Sequence, residues 1–327
     1  MKRNILIAVA FMATMTLAAQ NIAVVSPSNA TKTYMTLDTA IKGTEDGSII
    51  YLPGGGWVIN DTTKIDKRLT IMGVSHRGDT DNTDGATIIG GNLNFVANSS
   101  GSAVMGCYIS GDVNIGTAND AVNNILIRYC NLNRVSVKNS GCQGITVNQN
   151  YIRKLSQFGN SNPTISNNII HSLGDVNGGI INHNIIKDAG YIGIGSRIHP
   201  LGHVYYSSIM NNFFLNWRDG HLGNNCQILN NCIGSGSWGD NPVILDEGIT
   251  WDDVFFADKG VNINSDYRLK GKWGKNASTD GSDIGIFGGS NFSLNALAPI
   301  PRIVSKTVDE QTDGSGRLLI NITVKAQ

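Results

Sequence analysis

The residue types best suited to chemistry gather between positions 187 and 221. This stretch holds Lys187, Arg197, His199, His203, Tyr205, Tyr206, Trp217, Arg218, Asp219 and His221. Elimination beside a carboxylate needs a base to take the proton and a cation to steady the developing anion. Lys187, Arg197, His203, Arg218 and His221 supply those groups and are the catalytic candidates. Trp217 offers a face for stacking on a sugar ring. Packing of a long loop explains the same residues, and it is the reading their composition favours. For hydrolysis, two carboxylates several ångströms apart are required. The one Asp-Asp pair, Asp252-Asp253, follows the last clear repeat and is expected at the surface.

A second set lies along the middle of the chain. Arg153, His171 and Lys187 occupy the same place in successive copies of a recurring phrase, within the series Asn133, Arg153, His171, Lys187, Leu215, Gly234. Stacked coil on coil, they form a basic track suited to the recurring carboxylates of an acidic polysaccharide. Like charges about 5 Å apart repel by only about 1 kcal/mol in a water-like dielectric. An ordinary solvated surface therefore accounts for the column as well, and more plainly. Arg153, His171, Lys187, Tyr205 and Trp217 form the expected glycan-binding set.

No Cys/His spacing fits a zinc site, so no metal is assigned. Asp79, Asp81, Asp84 and Gly85 superficially resemble a calcium loop, but the third acid is displaced by one and no Glu closes it. A polar loop is expected there, with adventitious calcium the lesser alternative. Five cysteines leave at least one without an intramolecular partner. Cys107 and Cys130 hold one repeat position on neighbouring coils, close enough for a disulfide. Both also fit as small buried residues in place of Asn, the favoured reading. Cys142, Cys226 and Cys232 are expected to fill core space.

The elements that position these residues follow from the repeat. The phrase apolar-x-x-Asn-x-apolar runs Val147 to Ile152, Ile165 to Ile170, Ile181 to Ile186, Ile209 to Phe214 and Ile228 to Ile233. Two earlier copies, Val104 to Ile109 and Ile127 to Leu132, carry Cys107 and Cys130 at the Asn place. Successive key positions are 23, 20, 18, 16, 28 and 19 residues apart, the range of solenoid coils. With no helix-length amphipathic stretch, each coil must be short strands joined by turns, stacked on its neighbours. Cys107, Cys130, Asn150, Asn168, Asn184, Asn212 and Asn231 then form a structural ladder. Asn suits a turn through its tolerance of left-handed backbone, and stacked amides bond to one another. The 28-residue spacing contains an insertion of about ten residues, which carries the loop histidines.

On these phrases the chain resembles the right-handed parallel β-helix, or pectin-lyase-like, superfamily. Leu37, Ala40 and Ile41 resemble its small N-terminal capping helix, leading into the stretch from Asp46 to Gly54. Asp266-Tyr-Arg-Leu269 and the stretch from Asp280 to Gly289 resemble the closing segment of secreted Bacteroidetes-type β-helix proteins. The Ser-Pro-Ala usual between those phrases is replaced by Lys272 to Ala277. The resemblance covers roughly residues 35 to 290 and implies an all-β solenoid with an N-terminal capping helix and a C-terminal β cap. Lyase relatives tend to carry an acidic calcium cluster on the coil face, and none is visible here.

Met1-Lys2-Arg3 precedes an uncharged run from Ile5 to Ala19, so residues 1–19 read as a secretory signal peptide. Residues 20–290 form the β-helix domain. Two strands, Ile303 to Val308 and Leu318 to Val324, make 291–327 a β-hairpin cap or tail. A formal charge of zero, 25 basic against 25 acidic residues, argues against a nucleic-acid partner. No later run is long and apolar enough to span a bilayer. The expectation is a secreted β-helix protein, periplasmic, cell-surface or extracellular, directed at a polysaccharide or surface glycan as a binder or scaffold. The alternative is a polysaccharide lyase or glycoside hydrolase acting on an acidic polysaccharide.

Overall fold

A computed structural model describes residues 21–77, 85–174, 176–188, 204–215, 225–234, 236, 238–256, 265–290, 292, 302–308, 314–317 and 320–325. Those residues wind into a parallel β-helix. Each phrase contributes two strands around one tight turn, as Thr164–Ser166 and Ile169–Leu173 do around Asn167 and Asn168. First strands pair with first strands and second with second, giving two eleven-stranded sheets among the described residues. Register stacks like on like. Ile127, Val147, Ile165, Ile181, Ile209 and Ile228 form one column in the first sheet. Leu132, Ile152, Ile170, Ile186, Phe214 and Ile233 form its counterpart in the second. Apart from Ile228 in the last rung, these side chains are buried. Each fully buried one contributes about 1.5–3 kcal/mol.

The ladder Asn has a different task from the one its turn propensity suggests. Left-handed backbone falls on the residue before it: Gly106, Tyr129, Gln149, Asn167, His183, Asn211 and Asn230 have φ between 50° and 68°. The ladder Asn instead lies inside the coil with its amide turned along the stack. Asn184 Nδ2 donates to the carbonyls of Ile165 (2.9 Å) and Asn182 (3.0 Å) and to Asn212 Oδ1 (2.9 Å). Its Oδ1 accepts from the Asn168 backbone N–H (2.9 Å) and Nδ2 (3.0 Å). Asn150, Asn168, Asn212 and Asn231 repeat the pattern. Above them the Cys130 N–H donates to Asn150 Oδ1 (2.9 Å). The thiols of Cys130 and Cys107 point to the carbonyls of Arg128 and Met105, two residues back, as the Asn184 amide points to Asn182. All five cysteines are free thiols.

Helix α1, Leu37–Gly43, covers the N-terminal end as expected and buries Leu37, Ala40 and Ile41. The Thr36 hydroxyl accepts the Thr39 N–H and starts it. Beyond Ile244 the chain runs back along the outside of the second sheet, through the short helix α2, Trp251–Val254. Leu245, Val254, Phe255, Tyr267, Ile284 and Ile286 form a second apolar cluster with Ile169, Ile185, Phe213, Leu215 and Cys232 on the sheet's outer face. The stretch that resembles the closing segment of β-helix proteins thus lies along the side of the solenoid, and Cys232 fills this outer core. Gly285 permits the close approach, since a Cβ there would meet the Phe213 ring at 2.7 Å. Arg302–Val308 and Ile320–Lys325 form the expected antiparallel hairpin.

Candidate functional site

The outer face of the second sheet carries the basic column. Lys154 lies opposite Ser172, and Ile152 opposite Ile170, which sets Arg153 beside His171. Ile170 and Ser172 lie opposite Ile186 and Asp188, which sets His171 beside Lys187. Successive rungs are about 4.8 Å apart. Arg153 and Lys154 are exposed, whereas His171 and Lys187 are half-buried. Lys187 Nζ lies 3.1 Å from His171 Nε2. An ammonium only donates, so this contact has Lys187 as the donor and His171 Nε2 as the acceptor.

Charge on this face is graded along the axis. Asp112 accepts from Arg134 Nε (3.0 Å) and Nη2 (2.5 Å) and from Asn133 Nδ2 (3.1 Å). That carboxylate raises the Arg134 pKa and neutralises its charge. Among the described residues no carboxylate pairs with Arg153, Lys154 or Lys187. Beside the basic column, Tyr108, Asn131 and Tyr151 stack in register. Half-burial against the outer apolar cluster raises the Tyr151 phenol pKa. The column ends at Leu215, which is buried and whose carbonyl accepts from Trp251 Nε1.

Arg153, His171 and Lys187 are thus brought together. Tyr205 is not with them: it pairs opposite Asn177 in a separate two-stranded sheet. Arg197, His199, His203, Trp217, Arg218, Asp219 and His221 lie outside the described residues, as do Asp79, Asp81 and Asp84. Asp252 and Asp253 are exposed on α2, as expected. The Asp253 carboxylate accepts from the Thr250 N–H and hydroxyl, which hold its pKa below the usual range. It serves as a helix cap. Among the described residues, no group of three or more His, Cys, Asp or Glu is arranged to hold a metal.

Tyr108, Asn131, Tyr151 and Lys154 were not singled out by sequence. Their signal is present in the run Tyr151-Ile-Arg-Lys-Leu155: Ile152 and Leu155 point inward, so Tyr151, Arg153 and Lys154 must face out. No protein-family model, curated protein or solved structure matches the chain.

Proposed function

We propose that this chain is an exported β-helix of pectin-lyase-like architecture that binds an acidic polysaccharide along the outer face of its second sheet. The observation that carries the reading is the in-register stack of Arg153, His171 and Lys187, joined by exposed Lys154 and flanked by Tyr108 and Tyr151. Anionic groups on a chain lying along the solenoid axis would meet a cation at every rung or second rung. The tyrosines would offer ring faces beside it. Holding like charges together has a cost in the free protein, and an anionic ligand relieves it. The signal-peptide character of residues 1–19 supports export.

The test is binding to a panel of acidic and neutral polysaccharides at two salt concentrations, with reducing-end release followed in parallel. Binding to acidic members, weakened by salt, is expected. Arg153→Ala combined with Lys187→Ala should weaken it tenfold or more while leaving thermal unfolding unchanged, since both side chains point away from the core. A parent protein that binds no acidic polysaccharide would overturn the proposal. Release of reducing ends would convert the binder into an enzyme and direct mutation to Arg197, His203, Arg218 and His221.

A further inference from the structure

The turn between the two sheets carries a second column, and a segment of the C-terminal wrap, Ala277–Ser290, is strapped across it. Asn167 Nδ2 donates to the carbonyls of Ile286 (3.0 Å) and Gly288 (2.7 Å), and Ser290 Oγ donates to Asn167 Oδ1 (2.9 Å). Asn211 exchanges hydrogen bonds with Thr279, and its carbonyl accepts the Gly285 N–H (2.9 Å). Asn230 Nδ2 donates to the Ala277 carbonyl (2.8 Å). Between Asn167 and Asn211 the column holds His183, only 3% exposed and roofed by Gly288 and Gly289. A Cβ on Gly288 would fall 2.3 Å from His183 Nδ1, so the strap lies on the ring with no space for water.

We propose that this strap is an acid-released cover, docked on the solenoid while His183 is neutral and freed when His183 takes up a proton. The ring is poorly equipped to carry charge where it lies. Its Nδ1 has no hydrogen-bond partner, and its Nε2 meets Asn211 Nδ2 at a long 3.4 Å. The charged group facing it is Asp280 of the strap, with Oδ2 at 3.9 Å from Nε2. Asp283 turns its carboxylate elsewhere, to the Asn276 N–H (2.9 Å). On the solenoid side the flanking Asn167 and Asn211 are uncharged. Burial lowers the His183 pKa below its ordinary 6.5, and Asp280 together with the backbone carbonyls of Gly285 and Asp283 offsets this only in part.

The direction follows from linkage. Docking favours the neutral ring, so the freed state binds the proton more readily, and docking weakens as pH falls below 6.5. Asp280 acts in a separate window. Hydrogen bonds from Ser278 and Ser282 hold its carboxyl well below 3.8, so its contribution persists until pH falls beneath that value. Release would uncover Ile185 and the edge of Phe213 that Gly285 meets, while Trp251 and Phe255 stay packed on the Phe213 ring. This inference stands on the strap alone and does not depend on what the basic column binds.

Hydrogen exchange of the full chain at pH 7.5 and pH 5, corrected for intrinsic rates, reads the strap directly. Peptides spanning 277–290 should exchange at least tenfold faster at pH 5, with peptides spanning 145–155 unchanged and an apolar dye binding as the face opens. His183→Asn and His183→Gln place residues that the column already accepts at left-handed φ, as Asn167 and Gln149 show. Both should hold the strap closed at either pH. Equal strap protection in the parent at both pH values would overturn the proposal, as would pH dependence that persists in both variants. Opening of 145–155 together with the strap would overturn it too, by making the change global.

Discussion

Replacing Asn184 with leucine tests whether the internal amide ladder holds the coils together. The two side chains are similar in size, so the change removes hydrogen bonds without opening a large cavity. It deletes five contacts, three donated by Nδ2 and two accepted by Oδ1. The most costly result is at Asn168, whose fully buried N–H loses its acceptor. An orphaned buried donor costs about 1–3 kcal/mol, and the loss of further partners brings the expected destabilisation to about 2–4 kcal/mol. Because a solenoid's stability is a sum of coil and interface terms, the damage should be local. Hydrogen exchange is the assay. Amides in 164–170 and 180–186 should exchange about 30- to 700-fold faster, the same free energy at about 1.4 kcal/mol per decade. Asn150→Leu, one end of the ladder, should orphan the Cys130 N–H and loosen that coil instead. Asn184→Asp should be worse than Leu at neutral pH, since a buried carboxylate would face the Ile165 and Asn182 carbonyls and Asn212 Oδ1. An Asn184→Leu protein with unchanged exchange in both segments would refute the ladder as a source of stability.

Two further outcomes follow from buried groups. His76 is 6% exposed, and burial lowers its pKa to about 4, helped by Arg77 and opposed by the Tyr129 carbonyl, which accepts its Nδ1–H at 2.8 Å. Its stabilising effect is complete above pH 6.5 and is lost as pH falls towards 4. Denaturation of the parent should therefore lose up to roughly 3 kcal/mol more than that of His76→Asn over this window. Burial also raises the thiol pKa of Cys107, pushes that of Cys130 up to about 12, and leaves Cys142 and Cys232 fully covered. Cys226, half-buried, should be the first thiol alkylated in the native protein, as peptide mapping would show. Prior labelling of Cys107 or Cys130 would contradict the packing described.

The fold was legible because a solenoid writes its period into the chain. Apolar side chains that stack on themselves must recur at the same place in every coil, and Ile127, Val147, Ile165, Ile181 and Ile209 do. The terminal hairpin was legible for a local reason, two short strands around a Gly-rich turn, and the capping helix through the resemblance carried by Leu37, Ala40 and Ile41. The basic column could be aligned from the phrase alone, since one residue after an inward-pointing Ile must face out. The partners of that column were harder to see. Tyr108 and Tyr151 are recognised as its neighbours only when the strand-by-strand register is known.

What the chain determined by itself, then, is its period, its two inward columns and the ladder positions, all of which depend on near neighbours in sequence or on the next identical coil. Tertiary structure decided everything that depends on distant segments. It moved the left-handed backbone to the residue before the ladder Asn, because the ladder amide is held inside by the coils on either side. It laid the segment from Asp280 to Gly289 along the side of the solenoid, because Ile169, Ile185 and Phe213 present an apolar outer face that only an aperiodic stretch could cover. It buried His183 beneath a glycine more than a hundred residues away. A repeat predicts contacts between its own copies, and it is silent about the single segment that folds back across them.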